Sequence, residues 1–237
     1  MASKSWQDNY LAISDLQLPF EHEKALKFCK YLQRHFKIPE HNILNVGDEV
    51  DQYWGSLYKK DPNALYTPDS ELNITRDKLK QWVKAFPAKR VAISNHGLRW
   101  AKKAWQAEIP KQMLRGYQEV LGIPKAWQYK YSWIIRAEKR PFKMIHGMGY
   151  SGISGHRNAA IDAKMSCVIG HLHSHAGVAV VRNADQHEIW GMNTGCLIDE
   201  ESFAFHYGKD MRYKPAIGCG VILNGGMSAF WIPLDSF

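Results

Sequence analysis

Five short segments of this 237-residue chain carry Asp, Asn, Gln and His at places where a chain leaves a β-strand. They are Asp15-Leu16-Gln17, Gly47-Asp48-Glu49-Val50-Asp51, Asn95-His96, His146-Gly147 and Gly170-His171-Leu172-His173. Carboxylates, amide oxygens and imidazoles form the donor set of a divalent-cation site, and a carboxylate able to bridge two cations would permit a dinuclear one. Taken singly, Asp15, Asp48 and Asn95 fit turns or caps, and His146 fits a hydrogen-bonded strand end. As an ordered set they point to ligation, and alternation along an extended strand would put His171 and His173 on one face.

Each segment follows an apolar stretch: Tyr10 to Ile13, Asn42 to Val46, Val91 to Ile93, Phe142 to Ile145 and Cys167 to Ile169. If these are strands, all five polar tips converge on one sheet edge. Between the first two stretches, Ala25, Cys29, Leu32 and Phe36 share one face of a helix predicted over residues 21–36. That β-α-β opening favours a parallel pair with a right-handed crossover. Residues 52–69 read as a long loop over the site, and a helix over 70–86 leads to a strand over 90–93. Two helices are expected over 98–108 and 110–121, then a hairpin of 131–137 with 142–145. A Gly-rich loop (146–155), a short helix (156–163) and a strand-rich end complete the chain.

Hydrophobic residues make up 45% and charged residues 23%, the composition of an ordinary globular domain. No apolar run approaches the roughly 18 residues of a membrane span, and the first residues lack the apolar region of a signal peptide, so a cytoplasmic location is expected. Cys29, Cys167, Cys196 and Cys219 form no C-x-x-C pair, which argues against a disulfide scaffold or a structural zinc knot. The net charge of +8 is concentrated: residues 99–143 hold eleven Lys or Arg against three acids. The same stretch carries Trp100, Trp105, Tyr117, Trp127, Tyr129, Tyr131 and Trp133. Basic charge interleaved with aromatic rings suits a phosphate backbone with stackable bases, so nucleic acid or a nucleotide is the expected partner.

In chain order the five segments resemble the signature of the calcineurin-like metallophosphoesterases, D-x-H, G-D-x-x-D/N, G-N-H-D/E, H and G-H-x-H, from Asp15 to His173. The resemblance implies an α/β fold, a four-layer sandwich of two mixed β-sheets flanked by helices. It would be one domain over 1–237, with about 98–140 as a basic Trp-rich insertion or cap. Two divalent metal ions are implied, one held by Asp15, Gln17, Asp48 and His173, the other by Asp48, Asn95, His146 and His171. Asp48 would bridge them. His96, beside a ligand but not one itself, would protonate the leaving oxygen, Asp51 would orient a ligand or fix its loop, and Arg99 would offset phosphoryl charge. The implied reaction is phosphoester hydrolysis by a metal-bridging hydroxide attacking in line. Around Gly195-Cys196-Leu197 the chain also resembles bacteriophage-encoded members, which would place it in a host cytoplasm.

Three positions depart from the signature: Gln17 stands where the family has His, Ser94 where it has Gly, and Gly97 where it has Asp or Glu. A Gln oxygen is a neutral, hard donor, so the first metal site is expected to favour Mn²⁺ or Mg²⁺, with zinc or iron as alternatives and His22 as a substitute ligand. A phosphodiesterase or nuclease is expected ahead of a nucleotide phosphomonoesterase. A protein phosphatase is disfavoured, because Gln52-Tyr53 stands where such enzymes carry Arg-Gly. A non-catalytic phosphate-binding module with a decayed site is the reading from another class.

Overall fold

The computed structural model describes residues 8–56, 64, 66–182, 187–202 and 212–237. Its first strand, β1 (Tyr10–Ile13), is buried on both faces. Leu11 and Ile13 point into one apolar cluster and Tyr10 and Ala12 into another, as the two-residue period of a strand requires. Helix α1 (Ala25–His35) buries Ala25, Phe28, Cys29 and Leu32, positions of one helical stripe. β2 (Ile43–Asn45) then pairs parallel to β1, the β-α-β unit expected. Helix α2 (Pro68–Ala85) starts on a capping box between Thr67 and Ser70 with Pro68 in its first turn. β3 (Lys89–Ala92) follows.

Helices α3 (Arg99–Gln106) and α4 (Tyr117–Leu121) are shorter than the sequence pattern suggests. Between them, Pro110 begins a short 3₁₀ turn at Lys111–Met113 instead of a helix. Strands β4 (Trp127–Lys130), β5 (Ser132–Ile135) and β6 (Phe142–Ile145) come next, with β5 and β6 forming the expected antiparallel hairpin. Helix α5 (Gly155–Ala163) leads to β7 (Ser166–Ile169), β8 (Gly177–Arg182), β9 (Glu188–Asn193), β10 (Gly218–Leu223) and β11 (Ser228–Pro233).

The strands form two mixed sheets, ordered β11-β10-β1-β2-β3-β4 and β5-β6-β7-β9-β8. Tyr10, Ala12, Leu44, Trp133, Phe142 and Met192 pack between the sheets. α1, α2 and α4 cover the outer face of the first sheet, and α5 covers that of the second. This is the four-layer α/β arrangement expected. Of the 98–140 segment, β4 extends the first sheet and β5 begins the second, so residues 127–130 and 132–135 belong to the sheets.

Two buried charges sit in this frame. Lys89 is 3% exposed, with Nζ 4.0 Å from the ring centre of Trp127, 5.1 Å from Phe86 and 5.2 Å from Trp82. Glu49 Oε1 accepts the hydroxyl of Tyr117 at 2.8 Å and that of Tyr129 at 3.0 Å. Of the loop expected over 52–69, Tyr53–Gly55 is a 3₁₀ turn, and residues 57–63 and 65 lie outside the described residues.

Candidate metal centre

β1, β2 and β3 run parallel, as do β6 and β7, so their carboxyl ends present Asp15, Asp48, Asn95, His146 and His171 along one edge of the sandwich. Ligand sites in α/β sheets form outside the carboxyl ends of such strands. The chain leaves these strands abruptly. Asp15, Gln17, Asp48 and His171 are four of the nine described non-glycine residues with positive φ, at 49°, 46°, 49° and 68°. Aspartate tolerates this region, whereas Gln17 and His171 adopt it under some strain, a pattern that gathers at functional sites. At Gly47, φ is +111°, and a Cβ there would lie 2.6 Å from His146 Nδ1. Any side chain at that position would displace the histidine.

The side chains form two groups. In one, His173 Nε2 lies 3.0 Å from Asp15 Oδ1 and 3.1 Å from Gln17 Nε2. In the other, His146 Nε2 lies 2.8 Å from Asn95 Oδ1 and 3.2 Å from Asp48 Oδ2. One ligand atom each from Asp48, His146 and His171 falls within 4.8 Å of the others. Asp15 Oδ2 accepts the His171 amide at 3.0 Å, which ties the groups together. Ligands at right angles around a cation with bonds of about 2.1 Å stand about 3 Å apart, close to these spacings.

Nearby, His96 Nδ1 lies 2.7 Å from Asp51 Oδ1, and its Nε2 lies 3.7 Å from Asp48 Oδ2. Arg99 donates to Asp51 at Oδ1 (3.1 Å) and at the carbonyl oxygen (2.8 Å), and its second terminal nitrogen is 2.9 Å from His96 Nε2.

Burial opposes ionisation of the carboxylates, yet neighbouring imidazoles prevail. Asp15 is held below the usual range by its contact with His173, and Asp48 well below it by His146 and His96. Burial likewise disfavours charge on the histidines, but Asp48 brings His146 up to about 9, and Asp48 with Asp51 raises His96. His171 moves the other way, lowered by burial and by His146. His146 Nδ1 faces the Val46 carbonyl oxygen at 2.9 Å, and donation there turns Nε2 toward the site.

The residues present fit divalent cations. Gln17 Oε1 is buried without a hydrogen-bond partner, an unsatisfied oxygen beside Asp15 and His173. A buried bare acceptor in such a cluster fits a cation. Asp15, Gln17 and His173 are brought together as the first group. Asp48, Asn95, His146 and His171 form the second group.

His171 and His173 converge for a reason other than the one expected. β7 ends at Ile169, so strand alternation does not apply. The chain turns at once, His171 enters the left-handed region, and the two imidazoles divide between the groups. Gly170 permits this turn, since a Cβ there would meet Ser14 Oγ at 2.0 Å. His22 Nδ1 accepts the Lys24 amide at 3.1 Å, next to α1. His175 stacks edge-on with Tyr213.

Sequence reasoning missed several supporting groups. Ser14 Oγ bonds to Asp15 Oδ2, and Ser94, one of the departures, hydrogen-bonds to Asp48 and holds the Gly97 amide through Oγ at 3.3 Å. Asn45 Oδ1 accepts the Gly47 amide at 2.9 Å. Polar residues beside the motif residues at strand ends were the available signal.

Five ordered polar tips meet where two mixed sheets abut. The fold is a four-layer α/β sandwich of two mixed sheets flanked by helices. No family model matches the chain, and no curated protein does. The chain is similar to the solved structure of an archaeal phosphodiesterase (TM-score 0.47, 11% identity, 95% of this chain and 99% of that one). It is also similar to vacuolar protein sorting 29 from Cryptosporidium parvum (TM-score 0.47, 11% identity, 92% and 86%). A third is YfcE, a phosphoesterase from E. coli (TM-score 0.44, 14% identity, 91% and 88%).

Gln17→His is expected to tighten Zn²⁺ binding by about tenfold, since imidazole is the better zinc donor. Titration calorimetry checks it, and unchanged affinity would remove Gln17 from the ligand set.

Proposed function

We propose that the chain is a divalent-metal-dependent phosphoesterase that hydrolyses phosphodiester bonds in nucleic acid or nucleotides. The observation that carries this reading is the pairing of two ligand groups with a separate Asp51–His96–Arg99 cluster beside them. A pure metal-binding module has no use for a buried, carboxylate-oriented histidine next to its ligands. Two bound divalent ions, with Mn²⁺ best suited to the oxygen-rich first group, would supply Lewis acidity toward a water nucleophile and the phosphoryl oxygens.

The chain's own residues do the rest. Asp51 fixes the His96 ring through Nδ1, leaving Nε2 to carry a proton toward the leaving oxygen. Arg99, anchored on Asp51, would offset the negative charge that develops on the phosphoryl and leaving oxygens. Asp51 is thus a positioning residue for both groups.

Support for a polynucleotide comes from the surface of the basic segment. Trp127 and Trp133 are core residues, and Tyr117 and Tyr129 are spent on Glu49, but Trp105 is 83% exposed and Tyr131 62% exposed. Lys102, Lys111 and Arg115 are exposed in the same segment as Trp105. Cations beside an open indole suit a single strand, contacted by charge and by stacking. Among the described residues, no helix is long and apolar enough to cross a membrane.

The test is hydrolysis of bis-p-nitrophenyl phosphate beside p-nitrophenyl phosphate, with Mn²⁺ and with chelator. Metal-dependent turnover of the diester is expected to lead. Preference for the monoester would make the chain a phosphomonoesterase, and no turnover of either would favour a binding module. Charge reversal at Lys102, Lys103 and Lys111 is expected to weaken cleavage of a single-stranded oligonucleotide at least tenfold more than that of the small diester. Equal loss on both would count against the polynucleotide.

A further inference from the structure

A cavity of about 280 Å³ lies between the 3₁₀ turn Tyr53–Gly55, the first turns of α2, the start of α3, and α4. Its apolar walls include Trp54, Leu72, Trp100, Val120 and Leu121. The polar side chains that border it are mostly committed to the wall itself. Gln52 Oε1 accepts the Trp100 amide at 3.0 Å, and Glu71 accepts the amides of Tyr53 at 2.7 Å and Trp54 at 3.2 Å. Tyr117 donates its hydroxyl to Glu49, and Thr75 reaches the Leu18 carbonyl at 3.5 Å. Asp69, in the first turn of α2, is exposed. The cavity therefore offers ring faces and aliphatic surface, with little hydrogen-bonding capacity turned inward.

Its position gives this surface a purpose. Trp100 directly follows Arg99, Gln52 directly follows Asp51, and a Cβ on Gly55 would lie 3.1 Å from Arg99 Cβ, so one side of the cavity borders the cluster that holds His96. A group esterified to a phosphate at the metal centre has this cavity beside it. The occupant must be flat and largely apolar on its faces, attached to a phosphate, and accepted without its edge being read.

We propose that this cavity receives the nucleobase of a nucleoside phosphodiester, gripping it by stacking and apolar contact. The inference rests on the phosphoesterase reading and adds its substrate class. Stacking is sequence-tolerant because every base presents a π-face, so the chain accepts all four bases. The cavity and exposed Trp105 then serve successive roles along a strand, one seating the nucleoside next to the scissile phosphate and the other contacting the strand beyond.

The test compares thymidine 5′-(p-nitrophenyl phosphate) with methyl p-nitrophenyl phosphate in the Mn²⁺-loaded full chain. Both release p-nitrophenol, so the ratio of their kcat/KM values reads the nucleoside alone. The ratio is expected to favour the thymidine ester by about tenfold or more, the order of one base–aromatic stack. Trp54→Ala, which empties part of the wall, and Val120→Trp, which fills the cavity, are each expected to bring it down about tenfold. Two opposite changes of volume guard against a variant that does not fold.

Calorimetric binding of thymidine 5′-monophosphate, with inorganic phosphate as reference, gives a readout independent of turnover, and should weaken in the same variants. A ratio near one, a ratio unchanged in folded variants, or preference for an octyl over a thymidine ester overturns the nucleobase assignment while both esters are still hydrolysed. Hydrolysis of neither ester overturns the phosphoesterase reading instead, and the binding measurement then decides the cavity by itself: variant-sensitive binding of the monophosphate supports it, and its absence overturns it.

Discussion

Replacing Asp48 with Asn is expected to lower hydrolysis of bis-p-nitrophenyl phosphate by about 10³-fold or more, some 4 kcal/mol of barrier, with divalent-metal affinity falling as well. Asp48 is 1% exposed, and its carboxylate reaches both the ligand group and His96: Oδ2 is 3.2 Å from His146 and 3.7 Å from His96, and Oδ1 accepts the His96 amide at 3.1 Å. Asparagine is nearly isosteric and keeps one acceptor oxygen, so the fold should persist while the charge that attracts cations disappears. It also turns a second donor toward imidazoles that already need acceptors. Metal content after dialysis, metal titration and circular dichroism would separate these effects. Full metal binding with full activity would remove Asp48 from the centre, and the two-group assignment with it.

Lys89→Met is expected to stabilise the protein by about 2–3 kcal/mol near pH 6, a rise of roughly 1 M in the urea midpoint, and by much less near pH 10. Burial pushes the Lys89 ammonium down to about 7, whereas a lysine in the unfolded chain titrates near 10.4. Between those values the unfolded chain binds the additional proton, so stability rises with pH across that window. Below about pH 7 the folded chain bears the full burden of a charged Lys89. The faces of Trp82, Phe86 and Trp127 offset part of it, by about 2 kcal/mol for a desolvated cation, and Cys29, Glu49 and Cys219 also favour the charged form. Methionine keeps the length and flexibility of the side chain without the charge. Urea unfolding of both proteins at pH 6, 8 and 10 isolates this group, because other titrations cancel in the difference. A gain independent of pH would mean that Lys89 is not the titrating group.

The candidate ligand side chains were legible as one group because the motifs keep their order and each tip stands at the end of an apolar run. β1, α1 and β2 were legible from local periodicity. What escaped the sequence was set by contacts distant in the chain. β4 alternates, with Trp127 and Tyr129 on one face, but its four residues are too few to separate it from a basic loop, and it forms because β3 offers it a partner. The aromatics of the basic segment could be counted but not sorted. Trp127 is buried by its bond from Nε1 to the Phe86 carbonyl, Trp133 by the one to Val91, and Trp105 by nothing. The turn at Gly170 was hidden for the same reason: Ser14, 156 positions away from it, leaves no room for a side chain there.

The loop after β2 points its acids in opposite directions, Asp48 and Asp51 to the ligand groups and their histidine, and Glu49 to the hydroxyls of α4 and β4. That divergence makes the basic segment a buttress of the loop after β2 instead of a detachable lid. Excising residues 99–126 would take away Tyr117 and leave a buried carboxylate with one of its two donors. Remodelling this protein must therefore keep the Glu49 anchor and vary the solvent-facing side of the segment.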